Sequence, residues 1–363
     1  MSTDTAVSAA LVAVTVTLAA TVTVTATHRW WRHRRARRRQ SRLAAVRPSV
    51  LAMVTGDGEG FDLDRIDGLN GGLLEDLAVD LLPKVRGEAR DAIVALLDRR
   101  GVLDAARRRT TSRDPVARAR AAELLGAAGV TGAVPEILRL LDDPDLDVTL
   151  VAVRALGKLG LPAAATHLLS ALDASQKLPA GAVAMALLRL GPAAIEPLRT
   201  ALLTGGPTVR ATTAEVLGAS RAVGATDDLL HTLNSDAELE VRIRCARALG
   251  VLGSPRAVGT LVEYMCVDTP APLRAVAARA LGQIGDPAAV AALVVALSDT
   301  DHRVASNAAG AMAAMGARGT ANLEEVAAGE GPPAAYAREA LAFAGLATSR
   351  AQRVRRSPGS PRS

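Results

Sequence analysis

A short sequence block recurs along the chain at a nearly constant spacing. The block ends in Leu-Gly, and its five clear copies are residues 122–126, 153–157, 214–218, 246–250 and 278–282. The five glycines lie 31, 61, 32 and 32 residues apart, and a degenerate copy that ends at Gly191 divides the long interval. A period near 31 residues with helical patterning predicts stacked helix pairs, that is, an α-solenoid rather than a compact domain.

The composition determines what the core of such a stack can contain. Apolar residues make up 49% of the chain, but aromatic residues make up only 2%. We therefore expect a core of alanine, leucine and valine, which suits closely packed helices. The two cysteines, Cys245 and Cys266, are too few for a disulfide framework or a zinc site. Cys245 is predicted to be a small buried residue of the repeat.

Charge is distributed unevenly along the chain, whose formal net charge is +6. Residues 28–47 carry nine arginines and no acid, the tail from Arg350 carries five arginines and no acid, and the first 27 residues carry one aspartate. The remainder, 48–349, therefore has a net charge of −7. Nucleic-acid binding would need a basic face on this part, and aromatic residues to stack single-stranded bases. A nucleic acid is therefore not the expected partner.

An uncharged segment near the N-terminus predicts a membrane anchor. Residues 6–27 contain no charge over 22 positions, which is long enough for one transmembrane helix, and residues 1–5 form a short tail ahead of it. The arginines follow the apolar stretch, unlike those of a secretory signal peptide. The positive-inside rule then places the N-terminus outside and the repeats in the cytoplasm, at the cytoplasmic membrane. Valine and threonine alternate over 12–27, which is also a strand period, and the alternative is a cleaved or disordered leader.

The arginine-rich segment 28–47 is predicted to lie at the membrane surface. Tryptophans are typical of the interface, and each arginine near anionic lipid head groups adds about 1 kcal/mol of attraction. Nucleic-acid binding by this segment is the weaker alternative, because the membrane already supplies the counter-charge. The residues predicted to anchor it are Arg29, Trp30, Trp31, Arg32, Arg34, Arg35, Arg37, Arg38 and Arg39.

Two further segments are predicted to have no fold of their own. Residues 48–72 are rich in glycine and aspartate, but from Asp62 the calcium-loop positions for an oxygen ligand, a glycine and a glutamate hold Ile66, Asp67 and Leu73. We therefore expect a linker, with helical patterning beginning at Leu69. The tail, 347–363, lacks apolar periodicity and is predicted to be disordered.

Each repeat is predicted to be a pair of helices. The first helix would end at the Leu-Gly block, where the glycine allows a sharp turn. The second helix carries leucines three and four residues apart, as in Leu168, Leu169 and Leu172. Aspartates in the links, such as Asp145 and Asp301, are expected to cap the following helix rather than to bind a metal.

This pattern resembles the HEAT repeat, in the short form also found in bilin-lyase-like repeat proteins. The resemblance covers 113–346, with a weaker unit at 83–112, and it implies an all-α solenoid, a superhelix of about eight helix pairs over 73–346. With one N-terminal span, the layout is similar to a bacterial membrane-anchored HEAT family. The residues that carry the resemblance are Val209-Arg210, Val241-Arg242 and Leu273-Arg274 near the start of the first helix, the Ala-Leu-Gly block, and the Ala-Val with paired leucines of the second helix.

The resemblance also introduces an enzymatic alternative, because some HEAT-like proteins are lyases or hydroxylases. Deoxyhypusine hydroxylase holds two irons with His-Glu pairs, whereas none of the five histidines here is followed by glutamate. The sequence also contains no phosphate-binding loop, no Gly-x-Ser-x-Gly and no paired zinc-binding histidines. No catalytic residue, metal site or cofactor is therefore predicted.

The predicted site is a ridge on the second helices, which usually line the concave face of such solenoids. Aligning the repeats on their leucines places two rows of outward residues there. The rows carry no uniform charge, so we expect mostly a solvated face, with Tyr264 as the candidate aromatic anchor for a partner. The ridge comprises Glu136, Arg139, His167, Asp228, His231, Thr260, Glu263 and Tyr264.

The sequence thus predicts a membrane-tethered cytoplasmic scaffold that binds an unidentified protein and catalyses no reaction. Tethering would raise the local concentration of the bound protein at the membrane. The alternative is an enzyme or enzyme subunit of the HEAT-like lyase or hydroxylase type.

Overall fold

The computed structural model describes residues 68–175, 177–266 and 268–356, with side chains from residue 71 to residue 345. Within these ranges every regular element is a helix, and the chain divides into two compact units after Arg108. The predicted tail 1–5, span 6–27 and arginine-rich segment 28–47, with all its anchor residues, lie outside the described residues, as does the linker up to residue 67.

The first unit contains three described helices: α1 (Gly68–Leu81), α2 (Glu88–Arg99) and α3 (Val102–Arg109). Helix α1 begins inside the segment predicted to be linker, because its apolar residues, such as Leu74 and Ala78, are fully buried and stabilise a helix despite the glycines. Arg100 Nε donates to Glu75 Oε1 at 2.9 Å and ties the end of α2 to α1.

The second unit is a stack of seven helix pairs closed by one long helix. We call the even-numbered helices α4 to α16 the first helices and the odd-numbered helices α5 to α17 the second helices. The pairs are α4 (Pro115–Ala128) with α5 (Val134–Arg139), α6 (Leu146–Leu159) with α7 (Ala164–Ala174), α8 (Ala180–Arg189) with α9 (Ile195–Thr204), α10 (Pro207–Ala219) with α11 (Thr226–Ser235), α12 (Leu239–Leu252) with α13 (Val258–Glu263), α14 (Ala271–Ile284) with α15 (Val290–Ala296), and α16 (His302–Ala314) with α17 (Ala317–Ala327).

The closing helix is α18 (Pro332–Arg356), which packs on α16 and α17. The prediction of a disordered tail from residue 347 is therefore wrong as far as Arg356. Alanine, glutamine and arginine are good helix formers, and arginines near a helix C-terminus complement the helix dipole.

Helix starts follow the prediction that link aspartates act as caps. The side chains of Asp114, Asp145 and Asp301 accept hydrogen bonds from the backbone N–H groups of Val116, Asp147 and Arg303. Each bond satisfies one of the N–H groups that a helix leaves without a partner at its N-terminus.

The repeat glycines serve a different purpose from the one predicted. Gly126, Gly157, Gly218, Gly250 and Gly282 lie inside the first helices and do not end them. A Cβ atom added at any of them would lie within 2.8 Å of the Cα atom of an alanine on the next first helix. The repeat glycine therefore lets neighbouring first helices approach backbone to backbone.

Separate glycines, three residues after the repeat glycines, end most of the first helices. Gly129, Gly160, Gly253 and Gly285 adopt left-handed conformations with φ between 67° and 75°, which closes the last turn. At the equivalent position after α10 the chain has Arg221, which adopts φ 53° and is the one described non-glycine residue with positive φ.

Buried Arg–Asp pairs connect some first helices to the link that precedes the next one. Arg274 donates from Nε and Nη2 to Asp299 at 2.8 and 2.7 Å, and their side chains are 7% and 6% exposed. Arg118 with Asp143, and Arg210 with Asp236, repeat this two-bond contact.

Each aspartate of these pairs also accepts a hydrogen bond from a backbone N–H in the link, as Asp299 does from Asp301. The hydrogen bonds from the arginines lower the pKa of Asp143 and Asp299 below the ordinary value. Both carboxylates therefore stay ionised and paired in the folded chain at neutral pH.

The stack is irregular at α8. Leu188, and not the predicted Gly191, occupies the position of the repeat glycine on α8. Val216 stands on α10 where α6, α8, α12, α14 and α16 present alanine. Thr149 on α6 and Ala180 on α8 replace the paired arginine, and α8 packs less extensively on α10 than other first helices do on their neighbours.

Within the described ranges, no single helix has both the length and the apolar composition to cross a membrane. The bent pair Ala180–Arg189 and Pro192–Thr204, whose halves meet at 120°, reaches that threshold only when both are counted together.

Gly282→Ala is expected to destabilise the stack, since the new Cβ would lie 2.5 Å from both Cα and Cβ of Ala311. Overpacking of this kind costs about 1–3 kcal/mol. The matched control is Gly310→Ala on the adjacent α16, where nothing lies within 4 Å of the added atom and better helix propensity contributes about 0.5–1 kcal/mol. The thermal midpoint should fall for Gly282→Ala and rise for Gly310→Ala. Shifts of the same sign would contradict the role of Gly282 in the close approach of the two helices.

Arg221→Gly is expected to stabilise the protein by about 1 kcal/mol, because glycine adopts the left-handed conformation without the steric cost that Arg221 bears. Arg221→Ala serves as the control, since alanine keeps that cost and removes only the side chain. Urea denaturation of the two variants measures the difference, and equal stabilities would show that the conformation is not strained.

Asp299→Asn is expected to lower the free energy of unfolding by about 3 kcal/mol, because Arg274 would keep a buried charge without a counter-ion. Asp227→Asn is the control: its pair with Arg256 is 64% and 68% exposed, and such pairs contribute about 0–1 kcal/mol.

The folded pKa of Asp299 is lowered, so the contribution of Asp299 to the free energy of unfolding is present near neutral pH and is lost on acidification through that pKa. The Asn variant should therefore lose less stability in acid than the parent.

Candidate functional site

The second helices bring the predicted ridge residues to one side of the stack. Arg139, His167, His231 and Glu263 are exposed, on α5, α7, α11 and α13. The other four members, Glu136, Asp228, Thr260 and Tyr264, are half-buried. The alignment on leucines therefore placed these residues on equivalent helices, but only half of them offer an open side chain.

Asp228 is already engaged by a neighbouring repeat. Arg199 on α9 donates from Nε to Asp228 Oδ2 at 2.5 Å, and from Nη1 to Glu196 Oε1 at 2.9 Å. The two carboxylates raise the pKa of Arg199, with the hydrogen bond to Asp228 as the largest cause. This part of the ridge is therefore an internal charge cluster that joins α9 to α11.

Tyr264, the predicted anchor, contacts the protein itself. Its hydroxyl lies 3.1 Å from both Leu233 O and Asn234 Oδ1 at the end of α11. The guanidinium of Arg242 stacks on its ring, with Cζ 5.0 Å from the ring centroid. Arg242 holds on α12 the position that Arg118, Arg210 and Arg274 hold on their helices. Its buried Nε has no hydrogen-bond partner among the described residues. Tyr264 thus contacts an arginine that pairs with none of the described aspartates.

A polar groove of about 520 Å³ opens between α9 and α11 and includes two ridge residues, Asp228 and His231. Leu203, 49% exposed, forms an apolar edge. Its other charged residues, Arg210 and Asp236, are paired with each other at 2.6 and 2.9 Å. The groove therefore offers few free charges to a ligand.

The first helices carry a different charge from the second helices. The seven first helices contain twelve arginines and lysines and four acids, whereas the seven second helices contain three arginines and eight acids. The net charge of −7 over 48–349 therefore conceals a separation of charge between the two sets of helices, which the sequence prediction missed.

Arg154, Arg247 and Arg279 occupy one equivalent position, three residues before the repeat glycine, on α6, α12 and α14. All three are exposed, and none forms an ion pair or hydrogen bond with another described residue. The signal was present in the repeat block itself, which reads Arg-Ala-Leu-Gly in these three copies. A position that faces away from the close helix contact must face solvent.

Packing between repeats is carried mainly by the first helices. Neighbouring first helices pack extensively on each other, whereas neighbouring second helices make few contacts. The first helices therefore form the continuous layer that holds the repeats together.

Cys245 is a buried residue of the repeat, as predicted. Desolvation raises its pKa to about 12, so its thiol stays protonated and unreactive. Cys266 is exposed and unpaired. Among the described residues, no cluster of three or more histidines, cysteines and acids could hold a metal ion.

Comparison with known families identifies the repeats. The HEAT repeats model matches residues 100–188 and 266–344, and the PBS lyase HEAT-like repeat model matches 241–265. The irregular stretch 189–240 falls between these matches. No curated protein gives a significant match to the sequence.

Solved structures share the fold at low sequence identity. A mutant of Kap121p is 14% identical, with a TM-score of 0.53, over 80% of this chain and 38% of its own. Human deoxyhypusine hydroxylase is 21% identical over 68% of this chain and 99% of its own, with a TM-score of 0.31. The CpcE–CpcF phycocyanin lyase complex of Nostoc is 24% identical over 66% and 94%, with a TM-score of 0.32. At 14% identity, the likeness to Kap121p shows the fold alone.

Proposed function

This chain is a HEAT-repeat protein, and from that premise we propose that it is a membrane-tethered scaffold that binds another protein in the cytoplasm without catalysing a reaction. The observation that carries the proposal is the separation of charge between the first and second helices, with exposed arginines that have no partner among the described residues. Charges of this kind on a repeated surface favour recognition of a complementary surface.

The tether part of the proposal rests on the sequence. An uncharged stretch of 22 residues, 6–27, is followed directly by nine arginines over 28–47. This order supports one span with the N-terminus outside. The arginines would then also contact anionic lipid head groups, which adds to the anchoring.

Leu18→Arg in the full chain tests the tether. An arginine at the centre of a span costs about 2.5–3.5 kcal/mol of insertion free energy, so the variant should move from the membrane fraction towards the soluble fraction. Leu203→Arg, at an exposed leucine of α9, is the matched control and should fractionate as the parent does. If the parent itself is recovered in the soluble fraction, the tether is ruled out.

Binding to a protein is tested by crosslinking in native membranes, followed by identification of the crosslinked chains. A reproducible partner that depends on intact repeats supports the scaffold. Absence of any specific crosslink from the full-length protein would contradict it.

The enzymatic alternative comes from the match of 241–265 to a PBS lyase HEAT-like repeat. It predicts that the purified protein carries a metal ion or a tetrapyrrole. Metal analysis and an absorption spectrum distinguish the two proposals, since the scaffold requires neither group.

A further inference from the structure

We propose that the exposed face of the first helices binds an acidic, partly apolar peptide segment of a partner protein, with Arg247 and Arg279 as its main carboxylate contacts. This inference rests on the proposed scaffold function and specifies the surface and the chemistry of the partner. We call this surface the first-helix face. It consists of the solvent-facing side chains of the seven first helices, that is, the even-numbered helices from α4 to α16.

The positive charge of the first-helix face is largely uncompensated. Its acids are mostly used internally: Glu123 binds Lys158 at 2.5 Å, and both Glu215 and Glu240 bind Arg244. By contrast, five exposed arginines on these helices have no ion pair with any described residue. They are Arg120, Arg154, Arg189, Arg247 and Arg279.

A groove of about 600 Å³ runs across α12, α14 and α16 on this face. Ile243 and Ala275, 9% and 6% exposed, form an apolar floor together with Val276. Arg247 lines the groove with a free guanidinium, whereas Glu240 also lines it but accepts from Arg244 Nε at 2.6 Å. The groove therefore combines a free cation with an apolar surface.

An acidic peptide fits this combination better than a nucleic acid does. A guanidinium can bind a carboxylate with two parallel hydrogen bonds, and apolar side chains of a peptide can cover the floor, for which a phosphate backbone has no counterpart. Proteins that bind single-stranded nucleic acids combine a basic groove with aromatic rings on which the bases stack. None of the first helices α4 to α16 contains Phe, Tyr or Trp.

The spacing of the arginines sets the expected spacing of the acids. Arg247 and Arg279 hold equivalent positions on consecutive first helices, and packed helices lie about 8–10 Å apart. An extended peptide advances about 3.1–3.4 Å per residue. Carboxylates three residues apart therefore match two neighbouring arginines.

The test uses the full chain and a fluorescein-labelled peptide of five Glu-Leu-Ser repeats, with the Gln-Leu-Ser peptide as its uncharged counterpart. Fluorescence anisotropy should show that Arg247→Glu with Arg279→Glu weakens binding about tenfold or more, since two attractive contacts become repulsive. The control is Arg139→Glu with Arg318→Glu, two exposed arginines of second helices without ion pairs. It makes the same change in net charge and should alter affinity by less than about twofold.

Equal weakening in both double variants would overturn the proposal, because the peptide would then be responding to net charge or to the terminal arginines that all variants keep. A face-dependent loss seen with duplex DNA, or with phosphatidylserine–phosphatidylcholine vesicles, but not with the peptide would also overturn it. Both variants should retain the parent thermal midpoint, since the substituted side chains are exposed and unpaired.

Crosslinking in native membranes separates this inference from the scaffold function itself. If the parent captures a partner and the Arg247→Glu, Arg279→Glu variant captures it equally, the scaffold stands and the first-helix face is the wrong surface. If the parent captures none, the scaffold function fails. If only this variant fails to capture the partner, the result supports both the scaffold function and the first-helix face as its binding surface.

Discussion

The close approach of neighbouring first helices is the constraint on which the rest of the stack depends. Where a glycine meets an alanine on the next helix, the two backbones come into direct contact, and a Cβ at the glycine would collide with the alanine Cα at 2.5–2.8 Å. This contact fixes the separation of the first helices. It also fixes which side of each helix is buried, and therefore which positions remain open to solvent.

That packing sorts the arginines of a single repeat into two kinds. Eight residues before the glycine position, an arginine such as Arg274 points into the link and is neutralised by an aspartate. Three residues before the glycine, an arginine such as Arg279 is exposed and has no partner in the part of the chain that the structure describes. Two residues of the same type, five positions apart on one helix, therefore stabilise the stack in one case and shape its surface in the other.

Much of the fold follows from local pattern. A period near 31 residues and leucines three or four apart predicted the helix pairs. The capping role of Asp145 and Asp301 was equally local, because each side chain accepts a hydrogen bond from the backbone N–H two residues later. The role of the repeat glycine could not be settled in the same way, because a glycine near a helix end is compatible with a cap and with close packing. The left-handed conformation belongs instead to residues three positions later, such as Gly129.

The candidate site was less predictable, because its contacts join residues from different repeats. Asp228 was predicted as a ridge residue from its position on the second helix, but its partner is Arg199, 29 residues away. No local signal reveals that pairing. The hydroxyl of Tyr264 likewise reaches back about one repeat to Leu233. The first-helix arginines were visible in the repeat block, but their exposure follows only from which side of the helix meets its neighbour.

The irregular junction between α8 and α10 has a mechanical consequence. Leu188 facing Val216 cannot reproduce the backbone contact of the other junctions, and neither α6 nor α8 supplies an arginine to the following link. Both the tight steric contact and the ionic brace are thus missing at one place in the middle of the stack. We therefore expect deformation to concentrate at this junction when the protein is pulled or wraps around another surface, because the two contacts that brace other junctions are missing there.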